Sequence, residues 1–450
     1  LSLSSAEQLR IELTEALAPV FSEYPGTAVY LALSGGMDSR LMLDCIASRP
    51  EWCSRVTAIH VNHGLSPDSD LWQQECQRHC EACGVSFIGR KVTLEYKGQG
   101  TEAAARDARY AAFQQLLPPQ ALLLTAHHGS DQAETLLLRL FRGSGLAGLK
   151  GMSPSRKLTR HPDDERTVVR PWLGFTREQL ALAARGLSWI EDDSNLDQTF
   201  DRNWIRHSLL PSLQARYPSI ESTLIETTHH LSADHQLLMD LLSPVLDEAI
   251  SECNWPATAP FCLSVEAVNE RSPRVRFHQV RYWLQKNGLP IPQGKKVWHW
   301  LEQALSAGPD RQPSLRFDGV VLQRFKQHLY AWSEQKTPDS VDCIPVTWGR
   351  GTIAPLENSR LLPEGWSVLP ARQCASKVLR REGQQTKTLK NVWQENGVPV
   401  WLRDDWPMLI YQGDILAVLG LMNECSPECE PVDILSLKWR QGAIWRETTE

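Results

Sequence analysis

The chain has 450 residues, 42% of them hydrophobic and 22% charged, an ordinary globular mixture that is too long for one core, so two or three domains are expected. A formal net charge of −6 excludes a protein that binds nucleic acid through its overall charge, and any RNA site must be a local patch. Residues 1–17 read as an amphipathic helix with Glu7, Arg10, Glu12 and Glu15 interspersed, neither a signal peptide nor a span, and 11 scattered cysteines suit free thiols, so a cytoplasmic protein is expected.

The first strong pattern is an apolar run over residues 29–33. It feeds Ser34-Gly35-Gly36-Met37-Asp38-Ser39 and then a helical spacing of Leu41, Cys45 and Ile46. A strand, a glycine turn and a helix N-terminus together aim backbone N–H groups and the positive helix end at one point, so the turn is expected to hold a phosphate. A P-loop needs a Lys after the second glycine and more residues between the glycines, and this chain has neither. A plain turn capped by Ser or Asp is the competing reading. Asp38 fits poorly as a mere cap, because a carboxylate beside bound phosphates is most simply explained by a bridging Mg²⁺.

Beyond the turn, strands are predicted over residues 29–33, 56–61, 85–92, 121–126 and 168–170, with helices over 38–47, 68–82, 101–117 and 131–141 between them. This alternation predicts an α/β fold, a doubly wound parallel sheet whose ligands sit at the carboxyl ends of the strands. Polar clusters occupy those ends: the Ser-Gly-Gly turn, His60-Val61-Asn62-His63-Gly64, and His127-His128-Gly129-Ser130-Asp131. His60 and His63 also read as core-edge or loop residues. Asp131 and Glu134 lie one helical turn apart and are expected to point toward the His pair; without His-Glu-x-x-His spacing they suit Mg²⁺ or an amine better than zinc. Cys76, Cys80 and Cys83, with His79 among them, are read as buried thiols before metal ligands. Glu102, Arg106 and Arg109 share a helix that by itself reads as a salt-bridged surface. Arg142-Gly143-Ser144-Gly145 opens a Gly-rich loop, residues 153–164 read as a surface loop, and Asp201 to Arg206 begin a further helix.

Ser-Gly-Gly-x-Asp-Ser resembles the pyrophosphatase loop of the ATP-pyrophosphatase (PP-loop) superfamily. With His-Val-Asn-His-Gly-Leu, Gly-x-Glu-Ala-x-Ala-Arg-x-x-Arg-Tyr, Ala-His-His-x-x-Asp-Gln-x-Glu-Thr, Arg-Gly-Ser-Gly-x-x-Gly-Leu-x-Gly-Met, Asp-x-Ser-Asn and Arg-Asn-x-Ile-Arg in that order, residues 28–215 closely resemble bacterial tRNA(Ile)-lysidine synthases. The resemblance resumes at Leu389-Lys390-Asn391-Val392-Trp393 and Trp401-Leu402-Arg403-Asp404. It implies an ATP-dependent ligase that adenylates C2–O of the wobble cytidine in the CAU anticodon of tRNA(Ile). Attack by L-lysine then gives lysidine, AMP and pyrophosphate, and converts codon reading from AUG to AUA.

The resemblance implies that Ser34, Gly35, Gly36, Met37, Asp38, Ser39, His60, Arg142 and Gly143 meet ATP, and that Asp38 and Asp131 hold Mg²⁺. Many members have two adjacent Asp where this chain has Ser130-Asp131, so Asp131 alone carries that role. Arg106 and Arg206 would neutralise the adenylate or a tRNA phosphate. Asp131 and Glu134 are expected to recruit lysine, with His128 assisting proton removal. The alternatives are a PP-loop tRNA thiolase, which would want cysteines at the strand-end rim, and a noncatalytic RNA-binding protein.

The expected domains are residues 1–222, the catalytic PP-loop domain, followed by two smaller α/β or α+β domains: 223–336, mainly helical with a β-hairpin at Asp318-Gly319 leading into a strand over 320–330; and 350–450, a tRNA-binding domain, with 337–357 as linker. A basic run of Arg372, Lys377, Arg380, Arg381, Lys387 and Lys390 makes the local patch that net charge conceals, and Arg109 joins it as an RNA contact. Interleaved tryptophans offer stacking platforms but read first as core.

Overall fold

The computed structural model describes residues 4–94, 100–159, 164–192, 197–253, 255, 259–292, 295–308, 311–333, 346–348, 351–355, 365–374, 378–379, 387–411, 413–419, 421–423 and 437–441. The chain divides into two compact units, Leu1–Ser243 and Pro244–Glu450. Among the described residues no helix is long and apolar enough to cross a membrane.

In the first unit a six-stranded sheet runs in the order β3-β2-β1-β4-β6-β5, with β1 Val29–Ala32, β2 Val56–Asn62, β3 Ser86–Lys91, β4 Leu122–Leu124, β5 Ser155–Lys157 and β6 Thr167–Val169. All pairs are parallel except β5 with β6. The central strands β1, β2 and β4 are apolar runs because both faces are covered, and successive side chains alternate between the two, whereas the edge strands β3 and β5 are largely exposed. Leu31, Leu122 and Leu124 pack with Leu13, Leu41, Ile46 and Trp172, whereas Leu123, Ile59 and Val168 pack with Ala112 and Phe113. Each fully buried Leu is stabilised by about 1.5–3 kcal/mol relative to exposure.

The first face carries α1 (Ser5–Glu15), α2 (Met37–Ala47), α3 (Ser69–Cys83) and α6 (Arg177–Ala183); the other carries α4 (Thr101–Leu116). α5 (Gly129–Phe141) follows β4, and the strand order reverses between β1 and β4, where such sheets open their ligand crevice. The predicted loop over 153–164 is corrected at its start. Ser155, Arg156 and Lys157 pair with the free edge of β6, a partner that polar residues alone do not announce.

After β6 come α7 (Asp201–Trp204), a π turn at Ile205–Leu209, α8 (Leu210–Arg216) and α9 (Ile220–Asp247). Pro211 removes one N–H and crowds the preceding carbonyl, which a widened turn relieves.

In the second unit a five-stranded antiparallel sheet packs on helices Pro273–Lys286 and Lys296–Ser306 through Trp283, Leu284, Trp300, Leu301, Leu322 and Leu329. The region is an α+β layer, one of the two classes expected for the smaller domains, with more strands than the one hairpin read from the sequence. The Asp318-Gly319 turn does form, with φ of 45° and 71°, but the strand over 320–330 breaks into Val320–Phe325 and His328–Ser333 at Lys326, whose φ is 53°. The supposed linker over 337–357 contains strands Val346–Trp348 and Gly351–Pro355, the second paired with Leu437–Gln441. A four-stranded sheet beginning with Trp366–Pro370 and helix Leu389–Glu395 bury Val392, Trp393, Trp406 and Met408, so these tryptophans are core.

Candidate active site

Beyond β1 the turn is held by one hydroxyl. Ser39 Oγ accepts from the amides of Ser34 and Gly35, each at 3.2 Å, lies 3.0 Å from Ser34 Oγ and donates to the Gly36 carbonyl at 3.1 Å. Two amides expected to face phosphate are thereby used to shape the turn. The donors left are the amides of Met37, Asp38 and Ser39, which open α2 where no intrahelical carbonyl reaches. Gly35 has φ +90°, and a Cβ there would lie 2.5 Å from Ile190 Cδ1 and 2.9 Å from Cys76 Sγ. Ile190, whose amide donates to the Gly35 carbonyl at 3.0 Å, is a contact that sequence reading missed.

His60 is buried beneath this turn. Its Nδ1 is 2.9 Å from the Leu33 carbonyl and 3.5 Å from Cys76 Sγ, so the expected ATP contact is corrected to a support for the end of β1. Burial lowers its pKa, the Leu33 carbonyl opposing, and pushes the thiols of Cys76 and Cys80 up to about 12. These cysteines are core thiols on α3, as expected. Among the described residues no group of three metal-ligating side chains forms.

At the end of β4, His128 is 1% exposed, and its Nε2 lies 3.6 Å from Asp38 Oδ2 and 3.7 Å from Asp131 Oδ2. The two aspartates therefore share one imidazole on one rim. Burial opposes the charged ring, but Asp38 and Asp131 outweigh it and raise the pKa. With Nε2 turned to two carboxylates and its proton held more tightly, His128 is not placed to take a proton from an incoming amine, which corrects that expectation. Asp131 is held well below the usual carboxylate range: burial works against its charge, and His128, then Arg202, win. His127 is pushed down to about 4 by burial, with Asp131 opposing, and its Nδ1 lies 2.9 Å from Thr125 Oγ1.

Asp131 and Glu134 do share a face of α5, but that face meets two arginines. Arg202 Nε donates to Glu134 Oε2 at 2.7 Å and Arg202 Nη2 to Asp131 Oδ1 at 2.7 Å. Arg206 reaches Glu134 through Nε at 2.5 Å and Nη2 at 3.0 Å, and Asp131 at 3.3 Å. Glu134 is 1% exposed and both its oxygens are taken, so the expectation that it recruits lysine is corrected. Arg202 was missed; its signal is the i, i+4 spacing to Arg206, which matches two carboxylates one turn apart.

A divalent cation fits this rim at Asp38, whose Oδ1 is buried without a partner. Asp131 fits less well, since Oδ1 accepts from both arginines and Oδ2 from the His128 amide at 3.1 Å. Ser130 donates to Glu221 on α9 and accepts from the Arg177 amide at 2.8 Å, a structural link that a second Asp facing Glu221 would repel.

Arg106 stands exposed on α4, close enough to His127 to oppose its protonation, and Arg109 does the same to His60 and His63. Arg142 and Gly143 are not at the site. They end α5 about 16 Å from Asp131 at the rise of an α-helix, Gly143 with φ +69° and Arg142 paired with Asp201 at 3.5 Å. In the second unit Arg372 pairs with Asp405, and Lys390 is exposed. Lys387 lies on the strand Lys387–Thr388, and Lys377, Arg380 and Arg381 fall outside the described residues.

Three family models match the chain: a PP-loop domain over residues 6–213, a TilS substrate binding domain over 263–330 and a TilS substrate C-terminal domain over 370–439. The tRNA(Ile)-lysidine synthase of Pectobacterium atrosepticum is 34% identical over 90% of this chain and 93% of its own length, and that of Vibrio atlanticus 32% identical over 89% and 94%. The chain belongs to the tRNA(Ile)-lysidine synthase family.

The PP-loop match encloses the Ser39-laced turn, His128, Asp131, Glu134, Arg202 and Arg206, so the whole cluster belongs to the family's ATP-using domain. A solved structure of the U34-tRNA thiolase NcsA from Methanococcus maripaludis with its 4Fe-4S cluster is 15% identical, with a TM-score of 0.41, over 50% of this chain and 80% of that one.

Proposed function

We propose that the chain adenylates C2–O of the wobble cytidine in a CAU-anticodon tRNA(Ile) with ATP and then joins L-lysine at C2, releasing AMP. The observation that carries this reading is the shared position of Asp38 and Asp131 on His128, beside a turn whose free amides open α2. Domain matches and two relatives named as tRNA(Ile)-lysidine synthases support it.

In the first step the cytosine oxygen attacks the α-phosphorus and pyrophosphate leaves. The amides of Met37, Asp38 and Ser39 meet the charge gathering on the phosphates, with His128 held beside them by a carboxylate on each side. Asp38 would hold Mg²⁺ through Oδ1, the remaining ligands coming from phosphate and water, and the ion would supply charge neutralisation there. In the second step the neutral lysine amine attacks C2, AMP leaves with the electron pair of the C2–O bond, and the amine gives up one proton to solvent. Asp131 and Glu134 fix Arg202 and Arg206 at the rim, where these guanidinium groups face the anionic adenylate. An anticodon base, already single-stranded, reaches the rim at little cost.

Residues 1–222 form the catalytic part in this reading, 223–336 the middle part and 350–450 a tRNA-holding part with Arg372, Lys377, Arg380, Arg381, Lys387 and Lys390; Arg109 contacts RNA from α4. The test is incorporation of radiolabelled lysine into CAU-anticodon tRNA(Ile), with and without ATP. ATP-dependent label in tRNA and stoichiometric pyrophosphate are expected, and their absence would sink the reading.

A further inference from the structure

Three guanidinium groups gather around one ring. Arg106 and Arg156 lie with Cζ 5.3 and 4.9 Å from the centroid of Tyr110, and Arg170 lies close enough to the same phenol to lower its pKa. The three come from different elements: α4, β5 and the residue after β6. Arg156 donates to the carbonyls of Lys157 and Leu158, and Arg170 to that of Ser153, bonds that satisfy N–H groups without cancelling charge. Arg170 is only 4% exposed, and its Nε is buried without a partner. Arg139, on α5, adds to the same field. Like charges gathered around one ring repel, and a bound anion would relieve that repulsion. Burial pushes the Tyr110 hydroxyl up, yet the surrounding arginines outweigh it and lower its pKa, as expected where positive potential dominates.

We propose that Tyr110, Arg106, Arg156 and Arg170 form a phosphate site that takes a backbone phosphodiester of the RNA next to the base being modified, which deepens the function proposed above and rests on it. The phosphates of ATP are assigned to the end of β1. In the strand order β1-β4-β6-β5 the cluster sits two to three strands away, roughly 10–14 Å at sheet spacing, where a second phosphate group of a bound nucleic acid arrives and the ATP chain does not.

The test uses the full-length protein, CAU-anticodon tRNA and inorganic pyrophosphate as probes. Arg156→Gln, on a partly exposed edge strand, should leave the melting temperature and ATP affinity as they are. Near 0.1 M salt it should weaken tRNA binding about eightfold and reduce the slope of log Kd against log salt by about 0.9, the amount for one lost phosphate contact. Arg156→Lys should restore most of the slope, which a merely structural role would not do. If the wild type binds tRNA but Arg156→Gln keeps its affinity and slope, the phosphate site is overturned while the enzyme reading stands. If the variant instead weakens inhibition by pyrophosphate, the anion comes from ATP and the RNA assignment is overturned. If the wild type binds no tRNA, both readings fall together.

Discussion

Replacing Glu134 by Gln isolates what the buried carboxylate does. Glu134 is 1% exposed and accepts from Arg202 and Arg206 at 2.5 to 3.0 Å, while Asp131 Oδ1 accepts from Nη2 of each, in Arg206 the same Nη2 that reaches Glu134. Removing one partner of a buried pair costs about 3–5 kcal/mol because the other charge is left uncompensated. Here the arginine side chains keep 27% and 21% exposure, Asp131 remains, and the amide oxygen still accepts, so about 2–3 kcal/mol is the expected loss. For a unit of this size that is a fall in Tm of about 5–10 °C. Calorimetry of the full chain should show it. Pyrophosphate release should show a lower kcat, with the KM values for ATP and lysine moving together by no more than a few-fold. A variant that melts like the wild type and raises only the lysine KM, tenfold or more, would refute this reasoning and make Glu134 a direct lysine contact.

Gly35→Ala places a methyl 2.5 Å from Ile190 Cδ1 on a backbone with φ +90°. Strain and overpacking together cost about 3 kcal/mol, and isothermal titration should find ATP affinity down at least tenfold; wild-type affinity would show the turn to be adaptable. Ser39→Ala removes the acceptor for two amides, about 1–2 kcal/mol in all; if the turn needs that hydroxyl, the ATP Kd rises about tenfold, and an unchanged Kd counts against it. The His128 pKa, followed by ring NMR shifts, should exceed that of free imidazole and fall in Asp38→Asn. Because the folded value is the raised one, this contribution to stability is complete below about pH 6.5, the unfolded value, and is lost as pH rises through the folded value. A ring titrating at or below free imidazole would refute the carboxylate bracket.

Those tests fall unevenly on what was legible in the sequence, and the reason is physical. β1, the Ser-Gly-Gly turn and α2 are local: an apolar run, two glycines and a helical spacing sit within about 20 residues, and each reinforces the others. The central strands β1, β2 and β4 read as apolar runs because both faces are covered, whereas edge strand β3 is mostly exposed. β5 did not, because Ser155, Arg156 and Lys157 become a strand only where the β6 edge offers partners. In the second unit helix Lys296–Ser306 went unread although Val297, Trp300, Leu301 and Ala304 follow its period, and Ile250–Glu252 is too short and half polar to announce a strand.

The same division runs through the site. Residue types at strand ends located the rim, but whether a carboxylate there meets substrate or protein depends on what arrives from elsewhere in the chain, and Arg202 lies 68 positions from Glu134. Once Arg202 and Arg206 are in place, Asp131 and Glu134 lose most of their capacity to attract a cation. Among the three rim carboxylates Asp38 alone keeps a buried, unpartnered oxygen. The chemistry that needs a free anion therefore concentrates on Asp38, directly beside the amides that meet phosphate, and the paired carboxylates act through the arginines they hold.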